Sequence, residues 1–281
     1  MFGVLTRDQR LRRRVEDVLA GLGFAETYTP TLRPDDPVPG AWSLPEPISV
    51  EMSVLRTALL PSLVEAAQRN LDAGAEKIRL FEIARVFLPS GGDLPDEHLH
   101  VAAILEGGFF RAKGAVEALH AALKAEPSFE RTRQPLLHPG KAASVGAAGW
   151  VGELHPTLLE GTWSAFELDL GELFAASREP VVYQDVITYP AVRQDLAFAV
   201  PEEVSAGELV AAAREAAGAE LREMRAFDVY RGPQVGEGRK SIAFSVVFQS
   251  PQRTLSDEDA ARLREQIVEA VAMRFGAELR A

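Results

Sequence analysis

The chain opens on a helical period. Leu11, Val15, Val18, Leu19 and Leu22 recur at spacings of three and four until Gly23, and Thr6 with Gln9 three residues later forms a capping box. Six prolines between residues 30 and 47 erase all periodicity and make that stretch a loop. Pro61 suits the first turn of a second helix carrying Leu63, Val64, Ala67 and Asn70, with Gly74 closing it. The period then drops to two. Ile78, Leu80, Glu82, Ala84 and Val86 alternate with Arg79, Phe81, Ile83, Arg85 and Phe87, and because both sets are partly apolar the strand is expected to be covered on both sides. LHVAAILEG, a helix AKGAVEALHAALKA, and the strand-like ASVGAAGWVGELH and SAFELDL complete an α+β region of about 180 residues with a mixed sheet.

The pattern lapses across SREPVVYQDVITYP, so the boundary is placed there, giving units 1–180 and 181–281. RQDLAFAV then alternates as a strand, Ser205 with Glu208 caps a helix ending at Gly218, and LREMRAFDVY and KSIAFSVVFQ are strands. Ser256 with Asp259 caps a helix carrying Leu263, Ile267, Val271 and Phe275, and AELRA is a short last strand. This is the βαββαβ, ferredoxin-like order. Period two also sorts the faces. Ile242, Phe244, Val246 and Phe248, Phe227 and Val229, and Leu196, Phe198 and Val200 are expected to meet the helices. Ser241, Ala243, Ser245 and Val247, Ala226, Asp228 and Tyr230, and Asp195, Ala197 and Ala199 are then left on an open face. Small residues around one aromatic, one carboxylate and one hydroxyl suit a sheet that stacks and hydrogen-bonds a base, but on the residues alone Tyr230 covering a solvated sheet is the favoured reading.

The segment RGPQVGEGRKS, residues 231 to 241, has the composition of a phosphate-cradling loop. Its spacing argues otherwise: five residues separate Gly232 from Gly238, Arg239 intrudes before Lys240, and a strand rather than a helix is expected to follow. These glycines are expected to turn a long hairpin.

Composition narrows the function further. A net charge of −11 over 281 residues is not the footprint of a protein that holds nucleic acid mainly by neutralising phosphates, so any such contact must be local. The absence of cysteine excludes disulfides, thiolate metal sites and cysteine nucleophiles. No run of about 18 apolar residues occurs, and the basic N-terminus lacks the apolar segment of a signal peptide, so a cytoplasmic address is expected.

The remaining chemical candidates read as structural. His98 and His100 share a strand face, but no nearby residue completes a metal-ligand set, so no metal site is assigned. His120, His138 and His155 carry no ligand pattern either. Asp257, Glu258 and Asp259 favour a helix N-terminus. Arg10, Arg12, Arg13 and Arg14 wrap a solvated helix face, with RNA or a partner chain as the alternative. Leu59, Leu60, Leu63 and Val64 fit a core or a subunit interface equally well.

YPAVRQDLAFAV, AFDVYRG and EGRKSIAFSVVFQSPQRTLSDEDAARL resemble, in order, the ferredoxin-fold anticodon-binding domain of the bacterial phenylalanyl-tRNA synthetase β-subunit family. ISVEMSVLRTALLPSLVEAAQRN, KIRLFEIARVF, FFRAKGAVEALH, LHPGKAA, VGELHP and AFELDL resemble that family's class II synthetase-like core domain. The resemblance implies a noncatalytic core that associates with a catalytic α subunit, and a C-terminal domain that binds the anticodon of the phenylalanine tRNA. It also implies that Asp228, Tyr230 and Ser241 read the first anticodon base; a carboxylate, a hydroxyl and a ring suit guanine. No catalytic residue is expected. AFELDLGEL lacks the glycine run and arginine of a class II ATP site, and FFRAKG has Phe110 and Arg111 without the glutamate two residues on, so ATP and magnesium would belong to the partner. The chain is expected to be either an excised C-terminal half or a free-standing short paralogue that binds tRNA or a small molecule without aminoacylation. Glu46-Pro47, where the family has Asn-Pro, leans toward the paralogue.

Overall fold

A computed structural model describes residues 3–178, 183 and 185–280. The chain forms two compact units, Met1–Val182 and Tyr183–Ala281. The boundary expected at 180/181 falls on residues outside the described set.

The first unit begins with α1 (Arg7–Gly21), whose Thr6–Gln9 capping box is formed, followed by the short strands β1 (Ala25–Glu26) and β2 (Leu32–Arg33). β3 (Val54–Leu55) pairs with β2, and α2 (Leu60–Asp72) follows with proline in its first turn. Then come β4 (Arg79–Leu88), β5 (Asp96–Glu106), α3 (Phe109–Leu123), β6 (Phe129–Arg131), β7 (Leu137–Val145), β8 (Gly149–Leu154), β9 (Trp163–Asp169) and α4 (Leu170–Ala175). The main sheet runs β1-β4-β5-β9-β8-β7-β6, with β1 and β4 parallel and the other pairs antiparallel.

Both faces of this sheet are covered, as the two apolar sets of β4 require. Leu11, Val15 and Leu19 of α1 and Val116 and Leu119 of α3 pack with Phe81, Ile83, Val101 and Phe166 on one face. Leu60, Leu63 and Ala67 of α2 pack with Val86, Ala102, Ile104 and Ala165 on the other. The second face also buries polar groups. Arg56 and Glu82, 2% and 1% exposed, form an ion pair at 3.0 Å, and Thr29 Oγ1 links them by accepting from Arg56 and donating to Glu82. Such a pair is tolerated in the interior only because both partners are hydrogen-bonded. Leu59, Leu60 and Leu63 are fully buried within the chain, and Val64 is partly so.

One boundary moved. The third helix starts at Phe109 rather than Ala112, because Glu153 of β8 accepts the otherwise unpaired Phe109 N–H at 3.2 Å. Phe110 and Arg111 therefore lie in the first turn of a helix, with Phe110 exposed.

The second unit comprises β10 (Val192–Pro201), α5 (Ala206–Ala217), β11 (Leu221–Tyr230), β12 (Arg239–Phe248), α6 (Asp257–Phe275) and β13 (Glu278–Arg280). Both expected capping boxes, Ser205–Glu208 and Ser256–Asp259, are formed. The sheet is antiparallel in the order β11-β12-β10-β13. Phe198, Phe244, Val246 and Phe248 meet Leu209 and Ala213 of α5 and Leu263, Ile267 and Val271 of α6 in a single core. Among the described residues no helix is long and apolar enough to cross a membrane.

Candidate nucleic-acid interface

Both helices of the second unit lie on one side of its sheet, so the register of the strands decides what the other side presents. Directly paired residues share a face. β12 pairs Ser241 with Tyr230 and Ala199, Ala243 with Asp228 and Ala197, Ser245 with Arg225 and Asp195, and Val247 with Glu223 and Arg193. These four rows form the open face. Asp228, Tyr230 and Ser241 therefore stand together at one end of it, beside the alanines of β10.

One part of the face assignment is reversed. Strict alternation sends Phe227 to the helices and Ala226 to the open side. In the structure β11 is bulged between Ala226 and Asp228, so Ala226 pairs with Phe244 and packs on the core, while Phe227 is the unpaired extra residue. Phe227 is 59% exposed and turns onto the open face, where it lines a shallow cavity of about 410 Å³ with Arg193, Asp195, Glu223, Arg225, Ser245 and Val247. The bulge restores the phase, so Asp228 and Tyr230 still face outward and Val229 still pairs with Ile242 on the helix side. A second aromatic surface and two arginines thus lie beside the residues singled out from sequence. Arg193 was legible as the period-two neighbour of Asp195; Phe227 carried no such signal.

The glycine-rich segment is the hairpin loop between β11 and β12. Pro233–Val235 makes a tight turn, and Gly236 and Gly238 supply positive φ at 84° and 71°. The loop is anchored at its root: Arg231 donates to Glu202 through Nη2 at 2.7 Å and Nε at 3.0 Å. The Arg231 bond holds the Glu202 carboxyl below its usual range, outweighing a smaller opposite effect of burial. Gly232 has a steric role rather than a conformational one, since a methyl there would collide with the Tyr230 ring. On the open side the Arg280 guanidinium of β13 stands 6.0 Å from the centre of the same ring, at the outer limit of a cation–π contact. Tyr230 is thus set in place by the loop and left 37% exposed.

The polar groups beside Tyr230 have hydrogen-bonding capacity to spare. Among the described residues nothing pairs with the Asp228 carboxylate or the Ser241 hydroxyl. Asp228 is exposed, and Ser241 is 6% exposed at the floor of the face. Such an arrangement can present a flat ring for stacking, an anionic acceptor for two parallel N–H donors, and a hydroxyl that donates or accepts. Arg193, Arg225 and Arg280 are interleaved on this face with Asp195, Glu223, Asp228 and Glu278, so it does not form a uniform positive field.

Comparison with known sequences finds two family models along the chain. Residues 1–170 match the model of the phenylalanyl tRNA synthetase beta chain CLM domain, and residues 188–280 match that of the ferredoxin-fold anticodon binding domain. A phenylalanine--tRNA ligase beta subunit of Bifidobacterium longum is 38% identical over 99% of this chain and 39% of its own length. A protein of the same name from Geobacillus kaustophilus is 36% identical, with the same two coverages. The chain therefore spans about two fifths of the length of these curated relatives. Among solved structures, pyrrolysyl-tRNA synthetase from Desulfitobacterium hafniense aligns over 59% of this chain and 68% of its own, at 16% identity and a TM-score of 0.48.

Proposed function

We propose, for a chain that belongs to the phenylalanyl-tRNA synthetase beta chain family, that its second unit reads the anticodon of the phenylalanine tRNA and its first unit serves association rather than chemistry. The observation that carries the anticodon reading is the shared face of Asp228, Tyr230 and Ser241, two of them in direct cross-strand register, with unspent hydrogen-bonding groups beside a seated ring. In this reading Tyr230 stacks on the first anticodon base, Asp228 accepts from the N1–H and N2–H of a guanine, and Ser241 bonds the base edge or the backbone. Ala197, Ala199 and Ala243 leave the floor low enough for a base to lie on it.

The first unit then joins the catalytic α subunit, to which ATP and magnesium belong. Its α2-side sheet face supports a noncatalytic role. Glu82 and Glu167 flank Ala102 across three neighbouring strands, and both are committed within the fold, Glu82 to Arg56 and Thr29 and Glu167 to His100 and the Leu59 and Leu60 amides.

The test is a binding series with the full chain and an anticodon stem-loop. Asp228→Ala is expected to weaken binding by roughly 1–3 kcal/mol and to erase the preference for guanine at the first anticodon position. Equal affinity and equal preference in the variant reject the assignment. Co-purification with the α subunit tests the association, and the isolated chain is expected to give no phenylalanine-dependent ATP–pyrophosphate exchange.

A further inference from the structure

We propose that His98, His100 and Asp169 of the first unit form a binding site for a divalent transition-metal ion of the zinc class. Nothing near His98-Leu99-His100 in the sequence supplies a third ligand. The third ligand comes from across the sheet: β5 and β9 pair His100 directly with Asp169, and His98 lies on the same face two residues away. One ligand atom from each of the three residues lies within 4.8 Å of the other two.

The hydrogen bonds around the cluster leave its ligand atoms turned toward one another. Glu167, 3% exposed, accepts the backbone N–H groups of Leu59 and Leu60 at the start of α2 at 3.0 and 3.1 Å. That makes it an acceptor, so His100 Nδ1, 2.8 Å from Glu167 Oε1, must carry the proton. His100 Nε2 is left with a bare lone pair in the neutral ring, and it stands 3.8 Å from Asp169 Oδ2. Asp169 is fixed as well, since its Oδ1 accepts from Gly171 N and Glu172 N as the cap of α4, leaving Oδ2 for the histidines. Asp169 Oδ2 also lies 2.7 Å from His98 Nδ1, so one carboxylate oxygen is shared between the two imidazoles and the three ligand atoms converge on one point.

Three features favour the metal. Asp169 Oδ2 is hydrogen-bonded to His98 Nδ1 at 2.7 Å and stands 3.8 Å from His100 Nε2, so an ion that displaces the shared proton needs shifts of only about 0.5 Å to reach the roughly 3.3 Å between ligand atoms around tetrahedral zinc. A histidine whose remaining ring N–H is held by a buried carboxylate is the usual support of a metal ligand, and Glu167 is that carboxylate. The side chains of His98, His100 and Asp169 are 40%, 16% and 19% exposed, which gives an ion a route in and leaves room for water as a fourth ligand. Two imidazoles and one carboxylate suit zinc, cobalt or nickel, whereas calcium and magnesium take mainly oxygen ligands.

The experiment is titration of the full chain, after treatment with chelator, with Co²⁺ followed by visible absorption and with Zn²⁺ followed by calorimetry. One equivalent of either ion is expected to bind, with Zn²⁺ displacing Co²⁺. His98→Ala and His100→Ala should each weaken binding at least tenfold, and His155→Ala, on an exposed histidine elsewhere, should leave it unchanged. Asp169→Asn keeps an acceptor for the α4 cap while removing the charge, so it should weaken binding with the circular dichroism spectrum intact. If His100→Ala fails to fold, the exposed His98 and the cap-preserving Asp169→Asn still decide the matter. Failure to bind at millimolar Zn²⁺, or binding that is unchanged in His98→Ala and Asp169→Asn, overturns the proposal and leaves the cluster as a hydrogen-bonded part of the fold.

Discussion

The two sheets spend their polar groups differently. In the first unit helices cover both faces, and the carboxylates of Glu82 and Glu167 are consumed by Arg56, Thr29 and the amides at the start of α2. In the second unit the helices cover one face only, and Asp228 and Ser241 on the other have no partner among the described residues. The lesson is one of location. A carboxylate whose acceptor capacity is satisfied from within holds the fold, and one left unsatisfied at the edge of a bare sheet is available to a ligand.

The comparison breaks most sharply at the buried groups. Arg56→Met should destabilise the first unit by about 3–5 kcal/mol, because the buried Glu82 carboxyl loses its ion-pair partner; a chemical denaturation curve with an unchanged midpoint would remove the ion pair from the account. Phe244→Ala, at the centre of the second core, should cost a similar about 3–5 kcal/mol by leaving a cavity. Phe227→Ala separates the faces. It is expected to change the melting temperature little and to weaken stem-loop binding by roughly 1–3 kcal/mol through loss of a stacking surface, and a variant that loses stability but not affinity would return Phe227 to a structural role. Smaller still, Ser205→Ala should lower the stability of the second unit by about 1 kcal/mol, the usual worth of an N-cap, as read by calorimetry.

The least effect is one of pH. Glu202 and Asp259 are both held below the ordinary carboxylate range in the folded protein, Glu202 chiefly by Arg231 and Asp259 chiefly by Arg253. Their contribution is therefore complete above the unfolded carboxylate pKa of about 4 and is lost as the pH falls through the lower folded values. The melting temperature should decline on acidification from pH 5 to pH 3, and Glu202→Gln should make that decline shallower.

Much of this was legible in the chain because it depends on local pattern. Thr6–Gln9, Ser205–Glu208 and Ser256–Asp259 each form the capping box their spacing indicates. Ile242, Phe244, Val246 and Phe248 face the helices as period two requires. What was not legible depends on register between distant segments. Glu153 lengthens α3 from 44 residues away, and Asp169 reaches His98 across 71. Phe227 escaped because a bulge leaves the alternation intact on either side of itself, so nothing in the local sequence shows that one residue is surplus.

That surplus makes Phe227 dispensable to the scaffold in a way its neighbours are not. Away from the two register shifts of β11, at Arg222 and at Phe227, the loss of one residue exchanges inside for outside along the rest of the strand. Excising Phe227 instead joins Ala226 directly to Asp228, with each already on its proper side. Chain length can therefore vary at this point without disturbing the core, and a single-codon deletion becomes a scalpel that removes a feature of the surface while leaving the architecture beneath it untouched.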